Sequence, residues 1–386
     1  MHSGGRAYDI LGCRLRHRAY AELFKQIPSS PVFTAVRTYT VRGKSHAPPH
    51  GIRDVLEPLS LRDQNNLDAI RERLGQLGFA VAYSSFDENG YAEKDGAQRT
   101  HQLRGLFTAA LGAPARSLLV GHSLGGLIVL DLAERFADQY DGVAALCGVV
   151  GGTQAEFDHM TTTRMLFDMY YPGIMPGTYS APPKGFVMTP ALQAQIIAAI
   201  TANPTGLAII GSVAQANLQF NPLSPQAQVQ MVTSLITALT FHARGADNVL
   251  PLTNGKYPFN NSTTQYAAAA IPLIPTPPLS AIIAGINATA PRMIGDSIAL
   301  AYAARYFTPS GALKIPTLTL HNRWDPLVPF FHEPMLAGRV TGAGANALLL
   351  QRTKNEYGHC NFTVDEQVQA VTDLATWVAS GVKPNS

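Results

Sequence analysis

A serine enclosed by glycines is the strongest candidate for chemistry in this sequence. The segment Gly121-His122-Ser123-Leu124-Gly125 fits the pattern G-x-S-x-G, in which the serine sits on a sharp turn between a strand and a helix. The glycines two positions before and after it prevent side-chain collisions in that turn. Apolar residues 118–120 precede the motif as a strand, and residues 127–137 follow as a helix. The pattern predicts Ser123 as a nucleophile and the backbone amide of Leu124 as a donor to a developing oxyanion.

A serine hydroxyl needs a base to take its proton and an acid to orient that base. Asp325 comes just after a predicted strand at residues 315–320, where open α/β sheets place their chemistry. Among the acids, Glu333 and Asp296 are weaker candidates because neither directly follows a strand.

Two histidines lie beyond Asp325, namely His332 and His359. His359 follows a predicted strand at residues 347–351 and precedes the closing helix at 364–380, so we predict it as the base. His332 is close to Asp325 in sequence and is expected at the surface. His122 adjoins the nucleophile and is expected to pack beneath the turn.

The rest of the sequence indicates an α/β fold. Helices predicted at residues 67–77, 96–111 and 124–140 alternate with apolar strands at 79–83, 116–121 and 142–150, a rhythm typical of a mostly parallel sheet flanked by helices. Asn66 is the expected cap of the first helix, and Gly78 follows its end. Residues 153–310 are rich in Ala, Pro, Gln, Thr and Asn and too long for a loop, so they predict a mainly helical cap or lid.

We therefore divide the chain into four parts. Residues 1–53 form an atypical basic segment with nine Lys or Arg against two acids, residues 54–152 the first part of the core, 153–310 the cap insertion, and 311–386 the second part of the core.

Composition excludes several classes of function. Apolar residues make up 46% of the 386 positions and charged residues 14%, with a net charge of +3, so wholesale disorder and nucleic-acid binding are not expected. No apolar run approaches the ~18 residues of a bilayer span, and no stable membrane insertion is expected. Metal-binding spacings such as H-E-x-x-H or C-x-x-C, phosphate-binding loops and dinucleotide fingerprints are absent from the sequence, so neither a metal nor a cofactor is implied.

With these motifs in this order, the chain resembles the α/β-hydrolase superfamily of serine hydrolases, and within it a bacterial, lid-bearing esterase-like branch. The likeness covers about residues 60–384 and includes residues 151–152, 257–261 and 358–377. It implies the fold and acyl-transfer chemistry, and it favours export to the periplasm or beyond, although no signal peptide is visible. Family members also carry an apolar strand ending in His-Gly, whose loop supplies a second oxyanion donor. Here His50-Gly51 follows residues that do not predict a strand, so the second donor stays open.

Two cysteines fall at the same predicted edge of the sheet. Cys147 ends the strand after the Ser123 helix, and Cys360 adjoins His359. A Cys147–Cys360 disulfide is therefore predicted, and it would suit an oxidising compartment.

The leading hypothesis is a hydrolase of small-molecule or polymeric carboxylic esters that works through an acyl-enzyme, with Ser123, His359 and Asp325 in the roles given above. Four aromatic residues of the cap suggest an apolar substrate pocket: Phe167, Tyr170, Tyr171 and Phe186. A peptidase or amidase on the same residues, a catalytically impaired hydrolase-like protein and a lipid-surface binder are the alternatives.

Overall fold

A computed structural model of the protein describes residues 32–36, 66–82, 90–270, 278–305 and 308–385. Six strands form one sheet in the order β2-β1-β3-β4-β5-β6, and every described pair is parallel. The strands are β1 Val32–Val36, β2 Ala80–Ala82, β3 Ser117–His122, β4 Gly142–Leu146, β5 Thr317–Trp324 and β6 Leu349–Tyr357.

Helices cover both faces of this sheet. Those of the core are α1 Leu67–Gln76, α2 Glu93–Leu111, α3 Leu124–Arg135, α10 His332–Gly342 and α11 Val364–Ser380, with a short 3-10 helix at Asn346–Leu348. The predicted fold class, a mostly parallel sheet flanked by helices with a large helical insertion, is confirmed.

The sheet alternates its side chains between two apolar layers, as the pleat requires. Leu119 and Val143 pack in the layer under α3, whereas Leu118 and Ala144 pack in the opposite layer with Leu374 of α11. Since both faces of the middle strands are covered, these strands are continuous apolar runs, which is why the sequence located them well.

The described residues between β4 and β5 form six helices, and we call this segment the insertion. They are α4 Thr153–Tyr170, α5 Pro190–Ala202, α6 Pro204–Gly211, α7 Ala227–Val249, α8 Leu279–Thr289 and α9 Ser297–Arg305. The insertion has an apolar core of its own, which includes Phe167, Ile196, Leu207 and Leu235. Residues 185–243 contain no Asp, Glu, Lys or Arg. No single helix in the described ranges is long and apolar enough to cross a bilayer; α5 and α6 pass that test only together, across a 95° bend.

Two details differ from expectation. Val32–Val36, inside the segment predicted to be atypical, is an interior strand paired with both β2 and β3, so that stretch belongs to the sheet of the core. Asn66 precedes α1 in a left-handed conformation, with no capping hydrogen bond from its side chain, because a capping side chain requires extended backbone at that position. Gly78 does take the positive φ of 90° expected after the helix.

Candidate active site

The turn between β3 and α3 holds Ser123 in a strained conformation. Its φ of 55° and ψ of −123° are rare for a residue with a side chain. A Cβ on Gly121 would lie 2.0 Å from the carbonyl oxygen of Gly125, and one on Gly126 would lie 2.6 Å from the Cα of Gly148. Gly121 is therefore required by a backbone contact, as the motif predicts, and Gly126, one position beyond the motif, is required by another.

The amide of Leu124 is well placed to bind an anion. Leu124 is the first residue of α3, and the N–H groups of a first helical turn have no partner within the helix and lie at its positive end. The predicted role of this amide therefore has a geometric basis. His50 and Gly51, considered for the second donor, lie outside the described residues.

Asp325 is fully buried just after β5 and held by three hydrogen bonds. Its Oδ1 accepts from the backbone amides of Leu327 and Val328, both at 2.9 Å. Its Oδ2 lies 2.7 Å from Nδ1 of His359. Because the two amides fix one carboxylate oxygen, the other is directed at the imidazole.

His359 lies in the loop between β6 and α11 and is 4% exposed. While Nδ1 lies against Asp325, Nε2 of His359 lies 3.5 Å from Sγ of Cys360. The structure therefore brings Asp325 and His359 together in the arrangement of an oriented base.

A disulfide joins Cys147 to Cys360, with a Cα–Cα distance of 5.2 Å. Both residues have positive φ, 46° and 50°. Cys147 follows directly on β4, the neighbour of β3, so the bond ties the His359 loop back across the sheet toward Ser123. The ligand atoms of Cys147, Cys360 and His359 lie within 4.8 Å of one another, but sulfurs joined in a disulfide are not the thiolates that bind a metal.

Ser123 shares this tethered region. Its amide donates to the carbonyl of Leu146 at 2.9 Å, and its carbonyl accepts from the amide of Val149 at 3.2 Å. The backbone of Ser123 is thus hydrogen-bonded to residues on both sides of Cys147. The sulfur of Cys147 is bonded in turn to that of Cys360, the residue after His359. The ends of β3, β4, β5 and β6 meet at one edge of the sheet, as expected for parallel strands.

His122 lies beneath the turn. It is buried, and its Nε2 is 2.6 Å from Oε1 of Gln367 in α11. Burial lowers the pKa of His122 to about 4, against the effect of the Gln367 hydrogen bond, and the nearby His359 lowers it further. His122 is therefore a neutral structural side chain that links the turn to the closing helix.

His332, expected at the surface, is fully buried. Its Nδ1 accepts from the amide of Gly151 at 2.9 Å, and its Nε2 lies 2.7 Å from Oε2 of Glu156. Burial lowers the pKa of His332 to about 3 and raises that of Glu156 to about 7. The expectation failed because Glu156 is 176 residues away in the sequence, and no local pattern reveals such a partner.

The two weaker acid candidates also have places. Glu333 is buried and contacts His321 rather than His359. Asp296 caps α9, where its Oδ1 accepts from the amides of Ile298 and Ala299. Neither takes the position that Asp325 occupies.

Three of the four aromatic residues expected around a substrate pocket serve another purpose. Phe167, Tyr171 and Phe186 are buried in the apolar core of the insertion, and Tyr170 packs against that core. Their apolar character stabilises the insertion, so it indicates nothing about the substrate.

Comparisons with known proteins give either no match or matches with low sequence identity and low TM-score. No family model matches the chain, and no curated protein matches its sequence. Among solved structures, an esterase from Exiguobacterium antarcticum is 12% identical with a TM-score of 0.36 and covers 91% of this chain and 93% of its own. The protein Est1E from Butyrivibrio proteoclasticus is 11% identical, with a TM-score of 0.39 and 92% of each chain covered. Candida antarctica lipase A is 14% identical, with a TM-score of 0.41, over 93% of this chain and 73% of its own.

With TM-scores below 0.5, these likenesses carry no argument about chemistry. The architecture follows from this chain's own sheet: parallel strands, helices on both faces and a helical insertion before β5. That is the arrangement of the α/β-hydrolase fold.

Proposed function

We propose that the protein is a serine hydrolase of carboxylic esters. The observation that carries the proposal is the buried hydrogen bond of 2.7 Å between Asp325 and His359. A disulfide ties the His359 loop to Cys147 after β4, and the backbone of Ser123 is hydrogen-bonded to the residues around Cys147. Nucleophilic catalysis by serine requires an oriented imidazole of this kind.

The reaction takes place in two halves. Oγ of Ser123 attacks the ester carbonyl carbon while its proton passes to Nε2 of His359. The amide of Leu124 donates to the oxyanion that forms. The intermediate collapses, the C–O bond to the alcohol breaks, and the departing oxygen takes the proton from Nε2. Water, activated by His359, then attacks the acyl-enzyme and releases the acid.

Asp325 holds the imidazole in the tautomer with its proton on Nδ1 and stabilises the imidazolium that forms during each half. The backbone amides of Leu327 and Val328, which donate to Oδ1 of Asp325, supply this constraint. One oxyanion donor alone would leave transition-state stabilisation weaker by about 3 kcal/mol than two, so a second donor belongs to the proposal as an open position.

The insertion is proposed as the cap over this edge of the sheet, with small or polymeric esters of low charge as substrates. Residues 185–243 offer no charged side chain to recognise an ionic group. A disulfide beside the base is compatible with an oxidising compartment, which supports export. The four-part division of the chain stays a prediction.

The decisive experiment uses a fluorophosphonate probe and a series of p-nitrophenyl esters. The wild type should label and hydrolyse the esters with a burst of p-nitrophenol. Ser123→Ala should do neither. Ser380→Ala is the matched control, since Ser380 is an exposed serine at the far end of α11. Labelling that persists in Ser123→Ala would refute the assignment of the nucleophile.

Aminoacyl nitroanilides, tested beside the esters, distinguish a peptidase or amidase that uses the same residues from an esterase. Turnover of the anilides at a higher kcat/KM would replace the esterase proposal. Absence of both activities and of labelling in the folded wild type would leave a catalytically impaired hydrolase-like protein.

A further inference from the structure

A second buried pair of ionisable groups lies directly behind Asp325. His321 of β5 is fully buried, and its Nδ1 lies 3.2 Å from Oε1 of Glu333 in α10. Its Nε2 lies 2.8 Å from the carbonyl oxygen of Val328 and 3.7 Å from Oδ2 of Asp325. The catalytic mechanism proposed above makes no use of this pair.

The hydrogen bonds determine where the protons are. A carbonyl oxygen can only accept, so Nε2 of His321 carries a proton toward Val328. Glu333 is surrounded by donors: Oε2 accepts from Oγ1 of Thr319 at 2.6 Å and from Nε2 of Gln351 at 2.5 Å. The amide nitrogen of Gln351 also donates to the backbone carbonyl of Glu333, which fixes its orientation.

With both Oε2 bonds occupied by donors, the proton of this pair lies between Oε1 of Glu333 and Nδ1 of His321. When Nδ1 keeps that proton, Oε1 of Glu333 accepts a hydrogen bond from it. Both ring nitrogens of His321 therefore donate, which makes the ring an imidazolium.

From this geometry we infer that His321 is a positioning residue for the proposed ester hydrolysis: a permanent cation, held by Glu333, that lies against the carboxylate of Asp325. The inference rests on the proposed function. Val328 joins the two groups, since its amide binds Oδ1 of Asp325 while its carbonyl binds His321.

The other groups around His321 are consistent with this assignment. On α10, His332 lies close enough for the charge of His321 to lower its pKa. On α4, Glu156 interacts electrostatically with His321, Asp325 and His359. On β5 itself, Arg323 stacks over the ring of Phe330, whose edge meets His321. Burial lowers the pKa of His321, but the hydrogen bond and charge of Glu333 outweigh it and leave the pKa above its ordinary value.

A fixed positive charge behind Asp325 has two consequences for the base. It stabilises the carboxylate of Asp325, and it opposes a further positive charge on groups next to that carboxylate. Removing the charge of His321 should shift the acid limb of the kcat/KM profile to higher pH, by roughly half to one pH unit at effective dielectric constants typical of proteins.

The test compares three variants. His321→Gln removes the ring, and Glu333→Gln removes the anion that holds the proton on Nδ1 while preserving side-chain volume. His242→Gln is the control, because His242 is an equally buried histidine of α7, with Nε2 2.8 Å from the carbonyl of Tyr179. It should lose stability without moving the acid limb.

His321→Gln should shift the acid limb upward with p-nitrophenyl acetate, and Glu333→Gln, which removes a negative charge together with the proton, should shift it upward by less. Profiles that coincide with the wild type, in variants shown to be folded by circular dichroism, would overturn the inference. Nitrogen-15 NMR of histidine-labelled wild type gives a reading independent of catalysis. The His321 ring should carry two protons at pH 7.5, and a ring with one proton would also overturn it. If the wild type proves inactive toward esters, the proposed function fails, and the NMR result still decides the charge of His321.

Discussion

Removing the Cys147–Cys360 bond should weaken both the fold and the activity. The bond joins residues 213 positions apart. In the chain-entropy account, a loop of that length restricts the unfolded state by about 5 kcal/mol at 25 °C, and measured losses are typically 2–5 kcal/mol. The double variant Cys147→Ala, Cys360→Ala should therefore lose several kcal/mol in its free energy of unfolding.

The same double variant should have a lower kcat than the wild type. Without the bond, the loop after β6 is held near Cys147 only by weaker contacts, and displacement of a catalytic group by about 1 Å can cost on the order of 100-fold in rate. Urea unfolding followed by circular dichroism measures the first effect, and kcat for p-nitrophenyl acetate the second. Cys13→Ala is the control, since it removes the third cysteine and leaves the bond. A double variant within about 1 kcal/mol of the wild type and with unchanged kcat would refute the tether.

Two further predictions concern stability. Gly121→Ala should lower the free energy of unfolding by more than 3 kcal/mol or prevent folding, because its Cβ would lie 2.0 Å from a backbone oxygen. Gly105→Ala, in open space within α2, should raise it by about 0.5–1 kcal/mol. Urea midpoints that fall equally in both variants would contradict the steric argument. Glu156→Gln should gain stability relative to the wild type as pH rises from 4.5 to 8. Burial raises the pKa of Glu156 from 4.5 to about 7, so the unfolded chain releases a proton that the folded chain keeps, and the wild type loses roughly 3 kcal/mol across that window. A stability difference independent of pH would contradict it.

The sequence predicted elements that are apolar and locally patterned. The strand at residues 116–121 and the helix at 364–380 agree with β3 and α11 within a residue, since burial on both faces and a 3.6-residue period are visible in single segments. The positions of Ser123, Asp325 and His359 at strand ends follow from the same patterns.

Features that depend on distant partners were not predictable. The helix expected at residues 124–140 ends at Arg135, and the ring of Phe136 stacks on His101 of α2 with centroids 3.9 Å apart. The local sequence around Phe136 does not predict that contact. His321 and Glu333 are separated by a strand end and a turn, and only the fold shows that they meet.

The insertion contains a long stretch without ionic side chains, and this absence determines which solution conditions affect its stability. From α5 through most of α7, neither added salt nor a change of acidity has a formal charge to act on, apart from His242, which burial keeps neutral. Salt and pH therefore affect the stability of these helices only indirectly, through the rest of the molecule, where the ionisable groups are concentrated. Detergents and alcohols, which act on apolar surface, should affect the insertion at conditions that leave the sheet intact.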